Sequence, residues 1–185
     1  PEGLLLKEGM FQNNQLHGKG IIYNGSGHVE RAGIFYQNML IGVVGTFNEN
    51  PFLQNLGEWQ DNVFCMQSDV LQVKMHFVDG MQHGETVLTE ANGTVKAVFT
   101  FDQGQLIYQK RYRNGRIERE GEVVAYDLNG QGKVYKHDGN LDYEGEMKNG
   151  KRHGRGRAIL KNGDILTAEY ENDVQYGEGE VHTPE

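Results

Sequence analysis

The sequence predicts an all-β chain, an elongated open antiparallel sheet or solenoid built of consecutive β-hairpins. Three observations carry that prediction. Apolar and polar residues alternate with period two, as in Leu71/Val73/Met75/Phe77 and Val95/Ala97/Phe99/Phe101, which is the pattern of a strand with one buried face, and no window of helix length shows a 3.6-residue period. Turn dipeptides recur along the whole length, Asn-Gly at 24, 92, 114, 129, 149 and 162 and Asp-Gly at 79 and 138; both tolerate the positive φ of tight hairpin turns. Lastly, the chain resembles itself at a spacing close to 24 residues, the mark of a repeat architecture.

Taken in order, the first repeat (residues 7–30) carries Gly9, Phe11, Asn14, Gly18 and Gly20, and the second (31–54) places Gly33, Phe35, Asn38 and Gly42 at matching positions. The third (55–72) has Gly57, Trp59 and Asn62. After a shorter step, the fourth (73–96) has Met75, Phe77, Gly80 and His83-Gly84, and the fifth (97–118) has Phe99, Phe101 and Gly104. Gly121, Val123, Gly130 and Gly132 mark the sixth (119–142). The seventh (143–165) is the clearest, and the eighth (166–181) sets Leu166, Ala168, Tyr170, Asp173, Gly177 and Gly179 on the same template. Between Phe101 and Asn129 a second register, marked by Tyr108, Tyr112, Asn114-Gly115 and Gly121, fits equally well. The count is therefore eight, give or take one, in a single array.

Three residues after each aromatic position stand Asn14, Asn38, Asn62, Gly80, Gly104, Gly150 and Asp173, the residue types that best accept left-handed backbone angles. The exception is Tyr126. Along one strand Tyr143, Gly145 and Met147 share a face, so the glycine leaves a gap for a neighbouring ring. An isolated hairpin is barely stable in water, so each repeat must bury its face against the next.

Composition agrees with a thin core and many turns: 26 glycines, 3 prolines and 37% hydrophobic residues in 185, with a mean hydropathy of -0.66. A net charge of -8 argues against nucleic acid as the main partner, since phosphate binding needs surplus Lys and Arg. The single Cys65 cannot close an internal disulfide, which fits a reducing compartment. No apolar run reaches the roughly 18 residues of a membrane span, and Pro1–Lys7 is not a signal peptide. A first residue other than Met is compatible with a longer parent chain.

The run Tyr143-Glu144-Gly145-Glu146-Met147-Lys148-Asn149-Gly150-Lys151-Arg152-His153-Gly154-Arg155-Gly156 resembles the MORN repeat, whose consensus is Y-x-G-x-[aromatic]-x-x-G-x-x-x-G-x-G. The likeness extends more loosely over residues 7–181, with Met147 and Val123 at the aromatic position and Met66 and Tyr108 at a glycine position. It implies a rod or trough of hairpins, often able to dimerise, found in cytoplasmic scaffolds at membranes, cytoskeleton and cilia. It also admits a regulatory arm beside a lipid kinase or lysine methyltransferase.

The sequence contains no nucleophile–base–acid set, and Gly18-Lys19-Gly20 and Gly130-Gln131-Gly132-Lys133 complete no phosphate loop. Neither catalytic residues nor a cofactor are expected. His17, His83 and His153 each precede a repeat glycine but lie three repeats apart, about 29 Å at about 4.8 Å per strand, too far to share a metal; no metal is expected. Two surfaces remain. The aromatic row Phe11, Phe35, Trp59, Phe77, Phe101, Tyr143 and Tyr170 is a candidate groove for a protein partner, a peptide or helix. The basic stretch Lys148, Lys151, Arg152, Arg155 and Arg157 is a candidate site for anionic lipid, with Lys110, Arg111, Arg113, Arg116 and Arg119 as a second cluster. Unpaired end strands favour a homodimer. The reading is thus a cytoplasmic, non-enzymatic scaffold.

Overall fold

A computed structural model of the chain describes residues 6–43, 57–67 and 70–184. The described residues form strands and turns only, and every strand pairing is antiparallel. The chain divides into two compact units, Pro1–Leu106 and Ile107–Glu185.

In the first unit, β1 (Lys7–Gln12), β2 (Gln15–Tyr23), β3 (Val29–Tyr36) and β4 (Met39–Gly42) form a four-stranded sheet in sequence order. A second set comprises β5 (Glu58–Gln60), β6 (Val63–Gln67), β7 (Leu71–Val78), β8 (Met81–Gln82), β9 (Gly84–Glu90) and β10 (Val95–Asp102). Here β7 pairs with β8 at its end and with β9 at its start, so His83-Gly84 interrupts what is otherwise one long hairpin arm. The second unit is a plain meander of β11 (Gln105–Arg113), β12 (Arg116–Val124), β13 (Asp127–Tyr135), β14 (Leu141–Lys148), β15 (Lys151–Ile159), β16 (Ile165–Glu171) and β17 (Val174–His182).

The period arises because turns of two kinds alternate. One kind has two residues in the left-handed region: Asn13-Asn14, Gln37-Asn38, Asp79-Gly80, Gln103-Gly104, Ala125-Tyr126, Asn149-Gly150 and Asn172-Asp173. At the β5–β6 hairpin the positive φ falls on Asp61. The other kind is longer and closed by an Asn or Asp side chain accepting a backbone N–H two residues on: Asn24 from Ser26, Asn92 from Thr94, Asp138 from Asn140 and Asn162 from Asp164. The β11–β12 connection replaces that longer turn with the tight pair Asn114-Gly115. This makes the half-periods there nearly equal, which is why two registers fit the sequence between Phe101 and Asn129: both sets of markers are real turns, at opposite ends of the strands.

One turn prediction is corrected. Asn129-Gly130 lies inside β13, where Gly130 (φ +103) accompanies a register irregularity between β12 and β13; the dipeptide supplies a left-handed kink in a strand, with the reversal made at Ala125-Tyr126.

Packing follows the small-residue rule predicted for Tyr143. Its ring lies where a Cβ on Gly156 would have to be, and its hydroxyl is 2.8 Å from the Cβ position of Gly145. Leu16 covers Gly20, Leu40 covers Gly33, Leu128 covers Gly121 and Met147 covers Gly132 in the same way. Gly33–Tyr36 and Leu40–Val43 depart from alternation and are buried on both faces. There the four-stranded sheet meets the second strand set: Tyr36 packs on Phe99 with centroids 5.1 Å apart, and Gly42 admits the Phe101 ring. Fully buried Gln82 closes the joint, accepting from Val43 N (3.1 Å) and donating to Ile41 O (2.9 Å) and Thr86 Oγ1 (2.6 Å).

Candidate functional site

The aromatic row reads differently in three dimensions. Phe35, Phe77, Phe101, Tyr143 and Tyr170 are buried, none more than 6% exposed, because each occupies the space left by neighbouring small residues or by the facing sheet. They make the interior; they do not line an open groove. Tyr143 and Tyr170 meet edge to face at 5.2 Å, and Tyr143 also donates from its hydroxyl to Glu146 O at 2.9 Å. Phe11 is half exposed, on the outermost strand β1, and the side chain of Trp59 lies outside the described residues.

The stretch 148–157 also loses most of its basic character. Arg152 forms an ion pair with Asp142 and its guanidinium stacks 4.9 Å over the Tyr143 ring, so it is a packing residue. On the outer face of the second unit, Arg157 stands opposite Glu144, and Arg155 opposite Glu169; Lys133 pairs with the same Glu144 at 3.2 Å. Basic and acidic strands alternate there, and opposite charges at cross-strand distance neutralise each other. Lys148 and Lys151, exposed beside the Asn149-Gly150 turn, face each other without an acid between them.

A concentrated positive charge sits elsewhere, around the Asn114-Gly115 end of β11–β12. A cleft of about 800 Å³ is lined by Arg113, Arg116, Arg119, Lys136, His137 and Asp142, among others, with Glu118 at its side. Its two carboxylates are engaged: Glu118 by Arg113, Asp142 by Arg152. Three of its cations instead donate to backbone carbonyls, Arg116 to His137 O (3.1 Å), Arg119 to Gly150 O (3.2 Å) and Lys136 to Ile159 O (3.3 Å). A carbonyl orients a cation without cancelling its charge, so the cleft holds pre-positioned positive groups that an anion can neutralise.

Register assembles this cleft. Arg119 lies opposite Val134 across β12–β13, which brings Lys136 and His137, in the next turn, beside Arg113 and Arg116. The second basic cluster was visible in sequence, but Lys136 and His137 were not. The signal for them is the hairpin register, which places residues some twenty apart side by side.

On the outer face next to the cleft, Glu120 collects Tyr135, whose hydroxyl donates to it at 2.6 Å, and Lys110 at 4.0 Å. Burial, reinforced by the Glu120 charge, pushes the Tyr108 hydroxyl up to about 12 and raises Tyr135 as well. Glu120 is thus already engaged by Tyr135 and Lys110.

The three histidines serve separate local roles: His17 packs on Tyr36 at 5.3 Å, His83 pairs with Asp102 at 3.2 Å, and His153 sits in β15. Among the described residues no three His, Cys, Asp or Glu side chains gather as a metal site would need.

Comparison with known proteins supports the repeat reading. The MORN repeat model matches residues 8–29 and 143–165, the first repeat and the seventh. MORN repeats are common in proteins that bind membranes or other proteins. No curated protein matches the sequence. Among solved structures, one described as accessory secretory protein 1,2 and 3 of Streptococcus pneumoniae aligns at 14% identity over 70% of this chain and 22% of that one, with a TM-score of 0.23, too low to carry an argument.

Proposed function

This chain carries MORN repeats, and on that premise we propose that it is a non-enzymatic scaffold that docks an acidic segment of a protein partner into the cleft between β12, β13 and their turns. The observation that supports this is the trio Arg116, Arg119 and Lys136, each held by a carbonyl, with both neighbouring carboxylates already paired. The aromatic rings contribute indirectly, by fixing the strands that carry these cations. A cytoplasmic setting, at the cytoskeleton or a cilium, and homodimerisation remain part of the reading because the resemblance implies them.

The second reading is docking on anionic phospholipid. It draws on the same cations together with Lys148 and Lys151, each worth about 1 kcal/mol near an anionic surface. The acidic residues alternating across the outer face disfavour a flat membrane contact and favour a narrow acidic segment.

One experiment separates the two. A fluorescent poly-glutamate peptide and phosphatidylserine vesicles are each titrated with the native chain, with Arg116→Glu/Arg119→Glu and with Arg155→Glu/Arg157→Glu. The scaffold reading expects peptide binding that falls at least tenfold with the first pair and is unchanged with the second. Vesicle binding lost with the first pair, with none of the peptide bound, would replace it by the lipid reading.

A further inference from the structure

Asn-Gly pairs stand at 24, 92, 114, 129, 149 and 162, and each is a dipeptide that can modify itself. The backbone nitrogen of the glycine, once it gives up its proton, attacks Cγ of the asparagine. The N–Cγ bond forms, the Cγ–Nδ2 bond breaks, and the departing nitrogen takes a proton and leaves as ammonia. Water then opens the succinimide at either carbonyl, giving aspartate or isoaspartate. A fold restrains this reaction in two ways: by tying the carboxamide in place, and by keeping the glycine proton in a hydrogen bond.

Five of the six pairs are restrained. Gly93 N donates to Glu90 O at 2.9 Å, Gly150 N to Leu128 O at 2.9 Å and Gly163 N to Leu160 O at 3.0 Å. Asn92 and Asn162 also accept through Oδ1 from the backbone N–H two residues on. Asn24 Oδ1 accepts from both Ser26 N and His28 N at 3.0 Å. Asn129 is held at both ends of its carboxamide, its Nδ2 donating to Val124 O and Asp127 O and its Oδ1 accepting from Asn149 N.

Asn114 is the exception. It and Gly115 are exposed, and among the described residues no hydrogen bond engages its carboxamide or the Gly115 N–H. The cause is the position of the turn. Other tight turns are clamped to the preceding repeat, as Gly104 N is to Gln82 O and Gly150 N to Leu128 O. The β11–β12 turn falls at the opposite end of the strands, where the longer turns lie, and has no such clamp. Nothing stands within 4 Å of the Cβ position of Gly115, so the approach to Cγ is uncrowded. Arg113 and Arg116 flank the pair and line the same cleft, and positive charge beside an amide favours its deprotonated, attacking form. We propose that Asn114 is a built-in deamidation site, whose conversion to an acid lowers the charge of the cleft around Arg116, Arg119 and Lys136 and weakens its hold on an acidic partner. The effect on binding rests on the cleft reading given above; the modification itself does not.

The native chain is incubated at mildly alkaline pH, digested and mapped by mass spectrometry beside a sample unfolded in urea. Conversion at Asn114 should run at least tenfold faster than at Asn92, Asn149 or Asn162 in the folded chain, and the six sites should converge in urea. Equal rates in the folded chain, or a faster site elsewhere, would overturn the assignment. A lead for Asn114 that persists in urea would trace the preference to local sequence and overturn it equally. Binding is read with the poly-glutamate peptide: Asn114→Asp should weaken it at least threefold, while Asn92→Asp, the same charge change in the first unit, should leave it unchanged. Equal weakening by both, or by neither, would overturn the effect on the cleft. A native chain that binds no peptide would refute the cleft reading and this effect with it, and the modification site would still be decided by the mass ranking.

Discussion

At the scale of single residues, the left-handed turn positions do more than reverse the chain. Asn38 Oδ1 accepts from Leu16 N at 3.0 Å while Asn38 N donates to Leu16 O at 3.0 Å, and Asp173 clasps Arg152 in the same reciprocal way. The Asn or Asp at this position therefore clamps a turn to the strand of the preceding repeat, besides tolerating φ near +60. Ala125 and Tyr126 hold the same geometry (φ +52 and +69) with residues that disfavour it. Ala125 is exposed, so Ala125→Asn should raise stability by about 0.5–1 kcal/mol, measured as a higher urea midpoint at unchanged slope. A lower midpoint would show that Ala125 has packing the geometry does not reveal.

Among elements, stability comes from neighbours, as expected where each hairpin covers the next. The second unit follows this rule simply: Leu128, Tyr143, Met147, Ala158, Ala168 and Tyr170 form one core cluster across β13–β16. The first unit adds a sheet-on-sheet joint, and Gln82 is its only fully buried amide making three bonds among the described residues. Gln82→Leu keeps the volume but strands Val43 N and Ile41 O, a cost of about 1–3 kcal/mol for each unsatisfied buried group. Hydrogen exchange should then speed up at Val43 and through β4; unchanged exchange there would mean that the joint holds by apolar packing alone.

For the molecule as a whole, a net charge of -8 coexists with a cationic cleft because acids outnumber bases along the chain, while the cleft gathers Arg113, Arg116, Arg119 and Lys136 around Glu118 and Asp142. Alkaline pH probes the folded whole. Burial, with the Tyr170 hydroxyl nearby and Arg152 partly offsetting it, raises Tyr143 to about 12, and burial with Glu120 raises Tyr108 to about 12. Unfolded tyrosine titrates near 10. The folded chain therefore keeps protons that the unfolded chain gives up, so this contribution is complete below pH 10 and declines as pH rises from about 10 through 12. The urea midpoint should be level from pH 7 to 9 and fall above 10, with Tyr143→Phe flattening part of the fall. A midpoint insensitive to pH up to 12 would show that neither hydroxyl is desolvated in solution.

The sequence by itself determined the hairpins. Period-two alternation, turn residues that accept positive φ, and glycines opposite rings are local demands, and each is met within about twelve residues of chain. That is why the fold class, the turn at Asn149-Gly150 and the small gap beneath Tyr143 were all legible. Tertiary structure decided what each surface is for. The row Phe35, Phe77, Phe101, Tyr143 and Tyr170 reads in sequence as one periodic stripe, whether open or covered, because periodicity fixes a face and not what lies over it. Likewise Arg155 and Arg157 count as basic until register sets Glu169 and Glu144 opposite them, whereas Arg116, Arg119, Lys136 and His137 become one cleft only when β12 and β13 pair. Charge neutralisation and burial depend on distances between strands, and those distances exist only after the strands have been laid side by side.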